Sequence, residues 1–165
     1  MLSIDCTAFA TFSIASILCD VGGGYGQFMQ AVLQQYPSLQ GSIFELPEVI
    51  TSLREGHPPI ESTHCELIAG NFFESVPAGK SLYLLKSVLH DRDDAQCATI
   101  LQNCRRAMSD DSRLLIVEVV LQPNTPYANC MDLLMMAITG GKERTLESFQ
   151  QMLESAGFEL VLCQA

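Results

Sequence analysis

Three groups of residues in this sequence have types and spacings that could carry chemistry. The first is Asp20-Val21-Gly22-Gly23-Gly24-Tyr25-Gly26, between an apolar run and a helical pattern. Glycines let the backbone turn sharply and let a ligand approach the main chain, and a helix that opens beyond them offers free amides. Gly22 and Gly24 are the candidate contacts. The spacing is GxGxG, with Gln27 where a dinucleotide-binding loop would place its last glycine. Glu45, ending the next apolar run, is spaced to accept hydrogen bonds from both hydroxyls of a ribose. The competing reading is a plain glycine turn and an exposed strand-end acid, and the spacing of Glu45 weighs against it.

The second group is Lys86-Ser87-Val88-Leu89-His90-Asp91. His90 follows an apolar run and precedes a capped helix, where a side chain overhangs a cleft and an imidazole can accept a proton near neutral pH. His57 and His64 have no such setting and read as loop or strand-edge residues. The third group is two acids. Glu118 interrupts a strongly aliphatic stretch, where an unpaired carboxylate is costly to bury. That favours a functional role for it. Glu143 lies in Gly140-Gly141-Lys142-Glu143-Arg144-Thr145, and taken alone it reads as a solvated loop charge.

The elements that must position these residues alternate in periodicity. Strands are expected at Ile17–Val21, Ser42–Glu45, His64–Ala69, Ser81–Lys86 and Arg113–Leu121, with a last one starting at Phe158–Cys163. Helices are expected at Gly26–Tyr36, after Pro47, at Asp93–Met108, at Met131–Ile138 and at Thr145–Ala156. Asp93 and Gln96 have the spacing of a capping box, and Thr145 and Gly157 bracket the final helix. This alternation predicts an α/β fold, a mostly parallel sheet with helices on both faces, in which ligands bind beyond the carboxyl ends of the strands. The glycine loop, Glu45, His90 and Glu118 each lie at such an end or in the loop after it. Met131, Met135 and Met136 suit the wall of a pocket for a flat aromatic ligand, although a methionine-rich core helix explains them nearly as well.

Composition narrows the partners. A formal charge of −10 provides no basic stripe for phosphates, so nucleic acid is excluded as a partner. The 7 cysteines include no CxxC pair, which points to reduced core thiols in a cytoplasmic protein rather than a metal site or a disulfide framework. No stretch has the length of a membrane span, and the acidic start of the chain lacks the basic region of a signal peptide.

Taken together, Cys19–Gln27 (CDVGGGYGQ), Phe44–Ile50 (FELPEVI), Gly70–Phe73 (GNFF), Leu85–Asp94 (LKSVLHDRDD), Gly140–Thr145 (GGKERT) and Ser155–Phe158 (SAGF) resemble, in order, the blocks of the caffeic-acid-type and hydroxyindole-type O-methyltransferases. The resemblance implies a Rossmann-like class I methyltransferase sandwich that uses S-adenosylmethionine and no metal. It implies that Gly22, Gly24, Glu45, Asn71, Phe72 and Lys86 hold that cofactor. His90 would be the general base, flanked by Glu118 and Glu143, with Asp91 and the three methionines beside a small, aromatic hydroxyl acceptor. Glu45 and Asn71 stand where plant members carry aspartate.

The same resemblance assigns residues 17–165 to the cofactor-binding catalytic domain and residues 1–16 to the remnant of an N-terminal helical region. That region forms the homodimer and walls the acceptor pocket in the family. The final antiparallel strand of the fold is also expected to be missing. Phe9, Phe12, Ile14 and the methionine helix should then present an apolar surface. Two further readings compete: a cofactor-binding scaffold module that has lost turnover through truncation, and a nicotinamide-dependent dehydrogenase, which Gln27 disfavours.

Overall fold

The computed structural model describes Phe12 and residues 15–56, 64–122 and 126–161, with the backbone alone for 126–129. Five parallel strands form one sheet: β1 (Ile17–Val21), β2 (Gln40–Glu45), β3 (Cys65–Ala69), β4 (Leu82–Lys86) and β5 (Arg113–Val117), in the order β3-β2-β1-β4-β5. Consecutive strands step outward on one side of β1, and then the chain returns to place β4 on its other side. Register runs from Leu18 opposite Leu82 to Asp20 opposite Leu84, so β1 and β4 end side by side.

Helices cover both faces. Strand residues alternate, and the two faces collect different partners. Leu18, Ile43, Leu82 and Leu84 pack with Met29, Val32 and Leu33 of α1 (Gln27–Gln35) and with Ile50 and Leu53 of α2 (Pro47–Arg54). Cys19, Val21, Tyr83 and Leu85 pack with Cys97, Ile100, Leu101 and Cys104 of α3 (Asp94–Ala107), and with Phe149 and Leu153 of the last helix (Leu146–Ser155). Burial on both faces explains the near-continuous apolar strands. Burial also pushes the thiols of Cys19 and Cys97 up to about 11 and that of Cys104 to about 12, so they stay protonated and inert.

Several boundaries follow local chemistry as expected. Asp93 accepts from the amide of Gln96 at 2.8 Å while the Gln96 side chain accepts from the amide of Asp93 at 3.2 Å, completing the capping box of α3. Thr145 accepts from the amide of Ser148 at 3.2 Å, and Gly157 leaves the final helix at φ +82°.

Other expectations are corrected. The stretch Arg113–Leu121 is not one strand: β5 ends at Val117, and β6 (Val120–Leu121) leaves the sheet to pair with β7 (Arg144–Thr145). Glu118 occupies the break, because its side chain is held by backbone amides from another strand's end. The methionine helix α4 begins earlier, spanning Pro126–Ile138, and the last helix is α5 (Leu146–Ser155). Residues 158–161 form no strand, and 162–165 lie outside the described residues. Phe12 is not exposed. It is 2% accessible, with its ring 6.3 Å from that of Phe28 and 5.9 Å from that of Tyr36. Phe9, Ile14, His57, Cys6 and Cys163, with nearly all of residues 1–16 beyond Phe12 and the start of β1, lie outside the described residues. On α4, Leu133, Leu134, Met136 and Ile138 are exposed as expected. No described helix is long and apolar enough to cross a membrane.

Replacing the fully buried Leu84 by alanine should cost about 2–5 kcal/mol. Asp93→Ala should cost about 1 kcal/mol through the lost cap. Urea unfolding of both variants checks the ranking, and equal losses would contradict the placement of Leu84 in the core.

Candidate active site

The reversal of strand order between β1 and β4 leaves a crevice at their carboxyl ends, and the candidate residues gather around it. The glycine loop follows β1, Glu45 ends β2, Asn71 and Phe72 follow β3, Lys86 ends β4, His90 sits just beyond, and Glu118 follows β5.

The glycines divide their work. Gly22 turns at φ +75° and lies under Val88 and Phe72, so a side chain there would press on both. Gly23 makes room for a neighbour: a Cβ would lie 2.8 Å from the carboxyl carbon of Asp20. Gly24, at φ +55°, has nothing within 4 Å of where a Cβ would stand, so this is the loop's open face. Glu45 braces that face, accepting from the amide of Gly24 at 3.2 Å through one oxygen and from that of Leu46 at 2.8 Å through the other. A carboxylate has about four acceptor positions, so two remain for ligand hydroxyls.

The β3 loop is fixed mostly by its own chemistry. Asn71 accepts from the amide of Phe73 at 3.0 Å and donates to Glu74 at 3.3 Å, an Asx turn. Buried Asn103 on α3 donates to the carbonyl of Phe72 at 2.9 Å and holds the loop against the crevice. The Phe72 and Phe73 rings pack edge to face, 4.8 Å apart, with the Arg92 guanidinium over both. Lys86 reaches over the Phe28 ring at 5.7 Å.

His90 stands on a single 3-10 turn, Leu89–Asp91. Its Nδ1 faces two carboxylates, 3.4 Å from Glu143 and 3.7 Å from Glu118, and its Nε2 lies 3.7 Å from Asp91. The imidazole keeps 17% of its surface exposed, whereas the Glu118 and Glu143 side chains keep 2% and 0%. Glu118 spends one oxygen on the amides of Val88 and Leu89, at 2.8 and 2.7 Å. Those bonds set the turn that follows Ser87, which itself sits at φ +55°. Burial pushes both carboxyls above the usual range, and the neighbouring imidazole pulls in the opposite direction. Among the described residues, the second oxygen of Glu118, both of Glu143 and His90 Nδ1 complete no hydrogen bond. They have only one another, which favours a proton on Nδ1 and a free lone pair on Nε2.

The solvated reading of Glu143 is therefore overturned: a distant partner, Asp132 on α4, accepts from its amide at 2.9 Å and draws the loop inward. The methionines separate. Met135 is buried, Met131 half-buried and Met136 exposed, since adjacent helix positions point about 100° apart. Two further buried charged residues border the site. Asp20 is 2% exposed under the glycine loop, and Arg144 is 3% exposed beside Glu143. An acid at the end of an apolar strand was the available sign for Asp20. Among the described residues no cluster could hold a metal ion.

Comparison with known proteins gives this fold a family. The chain belongs to the O-methyltransferase domain family, whose model matches residues 4–159. It is 39% identical over 154 residues to the mitomycin biosynthesis 6-O-methyltransferase of Streptomyces lavendulae, covering 90% of this chain and 43% of that protein. It is 38% identical over 157 residues to caffeic acid 3-O-methyltransferase of Zea mays, covering 91% and 41%. Among solved structures it superposes on human N-acetylserotonin methyltransferase in complex with S-adenosylmethionine with a TM-score of 0.83, at 27% identity over 88% of this chain and 43% of that one. The chain thus spans less than half the length of these relatives. The Rossmann-like class I fold and membership of an enzyme family both stand as expected.

Asp20 yields a pH prediction. Burial raises its carboxyl from the usual 3.8 to about 7, against an opposing pull from Lys86. The folded chain therefore binds this proton more tightly than the unfolded chain. The carboxyl favours folding fully below pH 3.8, and that contribution is lost as pH rises through about 7. The difference in unfolding free energy between wild type and Asp20→Asn should change across this range by at most about 4 kcal/mol. Denaturant titrations at several pH values check it, and a pH-independent difference would mean that Asp20 stays ionised.

Proposed function

We propose that this chain binds S-adenosylmethionine in the crevice between β1 and β4 and transfers its methyl group to a hydroxyl of a small aromatic molecule. The supporting observation is the partly exposed imidazole of His90, whose Nδ1 faces two buried carboxylates. Relatives named for aromatic hydroxyl acceptors support the same reaction. Residues 17–165 form the catalytic domain in this reading.

The residues present fit the cofactor. The open face at Gly24 admits a ligand against the backbone, and Glu45 retains acceptor positions beside it. Phe72 and Lys86 border the same crevice, with Gly22 close to the Phe72 ring. Asn71 contributes through the loop it shapes. When bound, the cofactor supplies a sulfonium-activated methyl group. The protein's task is then to align an acceptor oxygen and remove its proton. His90 Nε2 accepts that proton. The imidazolium that results is stabilised by Glu143 and Glu118, which also hold the ring's orientation. Asp91 lies on the Nε2 side, and Met131 and Met135 line the approach of the acceptor in this reading.

Glu45→Ala should weaken S-adenosylmethionine binding by about 1–3 kcal/mol, read by calorimetry. His90→Gln should leave that affinity nearly intact and lower methyl transfer to a phenolic acceptor such as caffeic acid by roughly 10²–10⁴-fold. Equal loss of cofactor affinity in the His90 variant would place this residue in the cofactor site and end its assignment as base.

A further inference from the structure

Arg144 is one of the few charged side chains in the core, and its bonds do not serve its own element. Nη1 donates to the carbonyl of Leu89 at 2.8 Å and to that of Lys142 at 3.2 Å. Nη2 donates to the carbonyl of Arg92 at 2.8 Å and to Asp94 at 2.9 Å, and Nε donates to the same Asp94 oxygen at 3.1 Å. Leu89 and Arg92 bracket His90 in sequence, and Lys142 directly precedes Glu143. One rigid guanidinium thus ties the turn that carries the imidazole to the loop that carries its carboxylate.

A role in net stability alone accounts poorly for this arrangement. A buried guanidinium is costly to desolvate, and its counter-charge Asp94 has a side chain 65% exposed, where solvent screens the pair. Most of its buried partners are neutral carbonyls. The same two segments also meet at Gly141, where a Cβ would collide with the carbonyl oxygen of His90. They are in backbone contact, and the fork of Arg144 fixes how they lie against each other.

We propose that Arg144 is a positioning residue that sets the register between the His90 turn and the Glu143 loop, and so directs Nδ1 of His90 at the carboxylates and leaves Nε2 free. The proposal rests on His90 acting as the base. Asp91, Glu118 and Glu143 are the ionisable groups facing this ring, and only the approach of Glu143 depends on the loop that Arg144 secures. Glu118 is fixed separately by the amides of Val88 and Leu89. Lysine keeps the charge at residue 144 but cannot form a planar fork, so it separates geometry from electrostatics.

The test uses the full chain with 15N-labelled histidine. At pH 8, long-range 1H–15N spectra report which ring nitrogen carries the proton, and His90→Gln assigns the resonance. The wild type should hold the proton on Nδ1. Arg144→Lys should raise the Nε2–H fraction by roughly threefold or more, towards the tautomer of a free imidazole. Its affinity for S-adenosylhomocysteine, measured by calorimetry, should stay within about twofold of wild type, because the glycine loop and Glu45 are untouched. A folded Arg144→Lys chain with the wild-type tautomer overturns the proposal, whatever its melting temperature. If that variant does not fold, Gly141→Ala decides instead, since it parts the same segments with Arg144 intact. An unchanged tautomer there would show that their register does not control His90. Failure of the wild type to bind S-adenosylhomocysteine would refute the cofactor reading and leave the tautomer comparison interpretable.

Discussion

The arrangement of this site depends on the side-by-side ending of β1 and β4. Two neighbouring parallel strands feed connections that depart to opposite faces of the sheet, so the space directly beyond their carboxyl ends is filled by neither. Parallel pairing then brings every other strand end to the same edge, because all five strands run in one direction. Glycines, Glu45, Phe72, Lys86, His90 and Glu118 come from separate parts of the chain, and this common edge is what they share. The fully buried leucines on both faces fix the strands laterally, which gives the loops beyond them a rigid base.

Within that frame the site is built on electrostatic cost. Two carboxylates with almost no exposed surface sit around one imidazole, and each is pushed up by its burial. Neither could be kept there by hydrophobic packing. Glu118 offsets part of the cost by accepting two backbone amides, and in doing so it ends β5 and shapes the turn after β4. Glu143 has no such amides for its side chain and depends on His90, which makes the His90–Glu143 pair the more responsive part of the cluster. A cluster with unmet hydrogen-bonding capacity at the mouth of a cleft is suited to taking up a proton, since that event relieves the repulsion the fold has built in.

The cysteines show the opposite use of burial. Cys19 and Cys104 lie inside a packed core where burial outweighs the opposing pull of Lys80 on Cys19, and their raised thiols fill space as small apolar groups. Cys97 adds a weak S–H donation to the carbonyl of Leu89 at 3.3 Å, which joins α3 to the turn under His90. Burial thus raises thiols and carboxyls alike, keeping the thiols protonated and inert while the two carboxyls face an imidazole.

Much of this was legible in the residues themselves. The strand and helix periodicities, the glycine turn, the capping box of Asp93 and Gln96 and the Thr145 cap are local: the groups involved are neighbours in sequence, so their spacing alone dictates the outcome. The placement of His90 and Glu45 at strand ends followed from those elements. What the tertiary structure decided depends on partners far apart in the chain. Glu143 became a buried neighbour of His90 because Asp132 and Arg144 hold its loop inward, and Glu118 broke a stretch that reads as continuous strand because two amides thirty residues earlier claim its carboxylate. The carboxyl of Asp20 is pushed up to about 7 by the depth at which the sheet places it, and Phe12 is covered by Phe28 and Tyr36. Periodicity records which face of an element is apolar. The charge state and register of a polar residue are set by desolvation and by partners that only the folded chain brings within a few ångströms.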